Sequence, residues 1–167
     1  MADTARRSAD EPRVDQLIAL LGDAWLSRIY RDRILTNRTR SYHFAGMPRR
    51  VAVEIQHTLL GVELKVGRRR LLCPDLATAR YLSVFARVGC SEVAIPYDIT
   101  QLSHLADDLE SSWQRMLLLI ENNFPGALHT RIRGLLIAKL RAEIAEAGAG
   151  TLVPEFKQST KQRRAGE

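Results

Sequence analysis

The chain has 167 residues, 46% of them hydrophobic and 26% charged, which fits one globular domain with a core and argues against wholesale disorder. Its net charge of +6 is unevenly spread: residues 1–90 carry +7, residues 91–150 carry −3, and residues 151–167 carry +2. The longest strictly apolar run, residues 116–120, is far short of the roughly 20 residues of a bilayer helix. Two cysteines, Cys73 and Cys90, cannot by themselves make a disulfide scaffold or a structural zinc site.

Residues 1–11 are polar and aperiodic and read as a disordered arm. Pro12 is placed like a first-turn proline, and Val14, Leu17, Ile18, Leu21, Trp25 and Ile29 then keep helical spacing to about Leu35. Residues 36–46 are rich in turn formers and read as a connection. Pro48 opens a second expected helix to about Leu60, with Val51, Ile55 and Leu59 on one face. Residues 62–66 alternate as a strand does. Gly67-Arg68 suits a two-residue hairpin turn, with residues 69–73 returning.

Asp75 is an expected N-cap for a helix over 76–88 that Gly89 stops, followed by a short strand at 92–95. Strand, helix and strand across 69–95 are long enough for a parallel crossover. Asp98 and Gln101 form a capping box before the cleanest apolar stripe in the chain: Leu102, Leu105, Ala106, Leu109, Trp113, Met116, Leu117 and Ile120. A last helix is predicted over 129–147, with Ile132, Leu135, Leu136, Leu140 and Ile144 inward. The expected fold is α+β and helix-dominated. It has about five helices and a small two- or three-stranded sheet, made of the hairpin 62–73 plus the strand 92–95. The domain spans 12–149, and residues 150–167 form a loose basic tail.

Enzyme motifs are missing from this pattern. There is no G-x-S-x-G elbow, no P-loop and no Gly-rich dinucleotide turn, so the reading leans against an enzyme and calls for no cofactor. Glu54 and His57 have di-iron spacing but lack the second E-x-x-H that such a site needs. His104 with Asp107 and Asp108 reads better as a solvated helix face than as metal ligands. Residues 86–93 resemble a helix-turn-helix turn, yet Pro96 would fall in the second turn of the recognition helix.

What remains is electrostatic. Between residues 28 and 50 seven arginines (28, 31, 33, 38, 40, 49 and 50) face one acid, Asp32, with aromatic residues interleaved. Arginine forks match phosphate oxygens, and aromatic faces accept unpaired bases. The expected function is non-catalytic binding of RNA or DNA through Arg28, Arg31, Arg38, Arg40, Tyr42, Arg49 and Arg50. The hairpin residues Arg68, Arg69 and Arg70 extend the surface. The bland alternative has the acids of residues 91–150 neutralising these cations within the fold. A protein-interaction subunit or adaptor is the other class of function, with the basic surface on an acidic protein partner. In that reading a homodimer covers surplus apolar face on the last two long helices. The expected location is cytoplasmic, with no membrane partner.

Overall fold

Gly22 decides how the chain begins. The computed structural model describes residues 2–44 and 52–150, with side chains from Asp10 onward. Its first helix, α1 (Ala2–Leu21), carries Pro12 in its interior, which corrects the expectation of a disordered arm to residue 11 and a first-turn proline. It stops where Gly22 takes φ +54°, a left-handed value that side chains disfavour. A single 3₁₀ turn (Gly22–Ala24), the one-turn helix α2 (Leu26–Ile29) and a π turn (Tyr30–Ile34) follow, in place of one helix to Leu35. The break turns Trp25 outward from the helical path and lets its indole donate to Glu143 Oε2 at 2.7 Å.

Two small antiparallel sheets follow. Strand β1 (Thr39–His43) lies where a connection was expected, and it pairs with β5 (Glu92–Pro96), Ser41 opposite Ala94. Strands β2 (Val53–Thr58), β3 (Gly61–Val66) and β4 (Arg69–Cys73) form a meander in that order. The helix predicted from Pro48 to Leu60 is therefore a strand over its described part. Val53 and Ile55 alternate with Glu54 and Gln56, and the pleat sets the half-buried first pair beside the buried Val66 and Leu64. Gly67, at φ +61°, takes the first central position of the hairpin turn as expected.

The expectation that 92–95 joins the hairpin sheet, with a parallel crossover across 69–95, is also corrected. The edge of β5 that faces away from β1 is already occupied. Ala94 N–H donates to the Tyr30 hydroxyl at 3.0 Å, and the Tyr81 hydroxyl donates to Ala94 C=O at 2.6 Å. No backbone group of Ala94 is left to receive another strand.

The remaining helices match their predicted bounds closely. Helix α3 (Leu76–Val88) is capped by Asp75, which accepts from Thr78 N at 2.7 Å, and ends at Gly89 in the left-handed region. A left-handed stop leading into a strand replaces the helix-turn-helix reading. Helix α4 (Ile99–Asn123) is capped by Asp98, and α5 (His129–Ala147) ends at Gly148. The fold is α+β and helix-dominated. Helix α3 packs on the inner face of the meander and against α4, while α1, α4 and α5 pack on one another. Tyr81, Phe85, Leu109, Ile132, Leu136 and Leu140 are fully buried at the centre. No helix among the described residues is long and apolar enough to cross a membrane.

Burial also settles where the apolar stripes go. Leu102, Leu105, Leu109, Trp113, Met116 and Ile120 of α4, and Ile132, Leu136, Leu140 and Ile144 of α5, are all buried within one chain. Leu117 and Leu135, at the edges of the two stripes, are half-buried.

Candidate nucleic-acid interface

The β1–β5 ribbon carries the best-placed cations, and the core holds it firmly. Tyr30, fully buried, stacks edge-on to Phe85 at 5.6 Å and also donates from its hydroxyl to Gly148 O at 2.5 Å. Burial pushes the Tyr30 hydroxyl up to about 12, and Tyr81 is raised for the same reason, so both stay protonated and can donate. The ribbon extends past its ladder at both ends, through Phe44 N to Ser91 O at 2.7 Å and Tyr97 N to Arg38 O at 3.1 Å. Arg40 thus leaves a strand held at both ends, and Arg38 precedes it with its backbone bonded to Tyr97, which helps a binding group keep its geometry.

Their surroundings differ. The Arg38 guanidinium lies over the Tyr97 ring, 5.3 Å from its centroid. Tyr97 is 40% exposed, so a cation and an aromatic face are offered together at the ribbon end. Arg40, exposed and opposite Ile95, has no ion-pair partner among the described residues, and neither has exposed Arg31 on the π turn. Tyr42 is half-buried, edge-on to Phe44 at 5.0 Å, and burial raises its pKa with a further push from the nearby Cys73 thiol. Its ring belongs to the rim of the core rather than to an open stacking platform. Among the described residues Tyr97 is the exposed aromatic, and its sequence signal is its place at the strand end beside Pro96.

Other arginines meet carboxylates of the same chain, two of them in surface pairs. Arg28 reaches Asp23 at 3.4 Å, and Arg33 pairs with Asp108 at 2.6 Å. Arg80 forks onto Glu110 through Nε and Nη2 at 3.0 and 2.8 Å, and its Nη2 also meets Asp107 at 2.5 Å. The acids of α4 therefore do neutralise a cation of this run, Arg33. These pairings also occupy Asp107 and Asp108, the expected companions of His104. No group of three metal-capable side chains occurs among the described residues. Glu54 and His57 sit three apart on a strand, hence on opposite faces.

The hairpin arginines are on the other sheet. Arg68 occupies the turn and Arg69 faces Val66, while Arg70 faces Lys65, which in turn faces Glu54. All three arginines are exposed. Tyr42 of the ribbon comes near Cys73, but the arginine turn lies at the other end of β4, about 13 Å along the strand at the usual rise per residue. The structure thus leaves Arg31 exposed on the π turn, Arg38, Arg40 and Tyr97 exposed on the ribbon, and Arg68–Arg70 exposed on the other sheet. Arg49 and Arg50 lie outside the described residues, as does the basic tail beyond Gly150. Tyr81 is core, Asp98 caps α4 and His104 is exposed.

The arrangement defines a helix-dominated α+β domain with an arginine-bearing two-stranded ribbon. No protein-family model, curated protein or solved structure matches the chain.

Proposed function

We propose that the protein binds nucleic acid without transforming it, through Arg31, Arg38 and Arg40 with the Tyr97 ring, RNA and DNA alike being candidates. The observation that carries this reading is selective neutralisation. Arg28, Arg33 and Arg80 meet carboxylates within the fold, whereas Arg31 and Arg40 stay exposed and without an ion pair among the described residues. Guanidinium forks suit phosphate oxygens, and the Arg38–Tyr97 pair gives an unstacked base a surface to lie on.

Fluorescence anisotropy with single-stranded and duplex oligonucleotides over a salt series tests it. Three phosphate contacts to a single strand predict a log–log salt slope of about −2. Arg31→Glu/Arg40→Glu should abolish binding while leaving the thermal transition in place. No binding at low salt, or equal binding by the folded variant, overturns the reading.

A second reading, an adaptor that docks on another protein, is favoured by one observation. The β2–β3 turn projects Leu59 and Leu60 at 107% and 79% exposure, with Leu72 nearby at 63%. Leu59→Ser/Leu60→Ser would separate the two readings, because it should leave oligonucleotide binding unchanged.

A further inference from the structure

Independently of that reading, we propose that the cleft between the α3–β5 turn and the last turns of α5 binds a small amino-carboxylate, its carboxylate on the Arg141 fork and its ammonium group toward Glu92. The cleft encloses about 380 Å³ and is lined by Cys90, Ser91, Glu92, Arg141, Ile144 and Ala145, among others. That volume is in the range of small-molecule sites, about 300–1,000 Å³.

Arg141 is held before any ligand arrives. Its Nε donates to Val88 O at 3.1 Å, at the carbonyl end of α3. The guanidinium passes so close over Gly89 that a Cβ there would lie 3.1 Å from Nη2. Glycine at 89 therefore serves the left-handed helix stop and the seat of the arginine at once. With Nε used, the Nη groups remain, and none has an ion-pair partner among the described residues. A fork fixed by one bond and left open at the other two nitrogens is matched to a planar carboxylate.

Glu92, on the same lining, decides against a simple anion. A phosphate or a bare carboxylate on Arg141 would meet its negative charge, whereas a ligand that also carries an ammonium group would gain from it. Glu92 likewise has no ion-pair partner among the described residues. The remaining wall is apolar (Ile144, Ala145, Ala149), which suits a short aliphatic side chain. Burial keeps the Cys90 thiol protonated, so the floor of the cleft adds no charge.

Isothermal titration of the full chain with L-valine, acetate, n-butylamine and inorganic phosphate tests the proposal. L-valine should bind with Kd near or below about 1 mM, and the three partial mimics at least tenfold more weakly. Arg141→Lys keeps the charge but loses the fork, and should weaken L-valine at least tenfold. Glu92→Gln, at an exposed position that does not threaten folding, should weaken L-valine while leaving acetate unchanged or tighter. No heat with L-valine up to about 10 mM overturns the site. Equal binding of L-valine by wild type and Glu92→Gln, or of L-valine and acetate by wild type, overturns the zwitterion assignment.

Discussion

Tyr30 and Tyr81 grip the same residue from two elements: one hydroxyl accepts the Ala94 N–H at 3.0 Å and the other donates to the Ala94 C=O at 2.6 Å. Both rings lean on Phe85, at 5.6 and 5.1 Å. The outer edge of β5 is thereby completed by side chains instead of a third strand.

Removing either hydroxyl leaves a buried backbone group without a partner. Tyr30→Phe and Tyr81→Phe should each destabilise the protein by about 1–3 kcal/mol, with little change in packing. The double variant should cost less than the sum, because the loss of one bond frees Ala94 from part of what the other holds. Urea denaturation of the four proteins measures the coupling.

Alkaline pH should unfold the protein through raised acids. Cys90 and Tyr30 both titrate near 12 in the fold, above their ordinary values of 9.0 and 10.0. Between those limits the unfolded chain has released protons that the native chain still binds, so stability falls as pH rises. It should be insensitive to these groups below pH 9, then decline from 9 through 12. Cys90→Ala should reduce the part of the slope that begins lowest, which the raised Cys73 thiol shares. Chemical denaturation across the alkaline range checks this.

Two glycines should respond oppositely to alanine. Gly89 has φ +82° with the Arg141 guanidinium against it, so Gly89→Ala should cost more than about 1 kcal/mol. Gly134 lies inside α5 with nothing within 4 Å of an added Cβ. Gly134→Ala should stabilise by about 0.5–1 kcal/mol through helix propensity. Thermal melts of the pair give the comparison.

Glu143 accepts from the Trp25 indole at 2.7 Å and from the buried Ser27 hydroxyl. Glutamine keeps an oxygen acceptor there, whereas leucine keeps none. Glu143→Gln should therefore cost under about 1 kcal/mol, and Glu143→Leu about 2 kcal/mol or more, since two buried donors are stranded. Trp25 fluorescence should shift in the leucine variant, which locates the change.

The helices were legible because their signals are local. Asp75 with Thr78, Asp98 with Thr100, and the stops at Gly89 and Gly148 are written within one or two turns. Strand β2 was misread because Ile55 and Leu59 are four apart, a helical spacing. What commits Val53 and Ile55 to a strand is the ladder with Val66 and Leu64, about ten residues away along the chain. Strand β1 was missed for a similar reason, since Thr39, Ser41 and His43 have little apolar pattern until β5 lies beside them. At the site, the arginine count could be read directly. Which guanidiniums are neutralised could not, because Arg33 finds Asp108 and Arg80 finds Glu110 only across packed elements.

The hydroxyl grip on Ala94 also makes one proton an observer of three distant parts of the chain. The Ala94 amide can exchange with deuterated water only when Tyr30 lets go, and Tyr30 is itself anchored to Gly148 beyond α5 and stacked on Phe85 of α3. Its exchange rate is therefore a gauge of whether the turn at 30–34, the middle of α3 and the end of α5 open separately or as one unit.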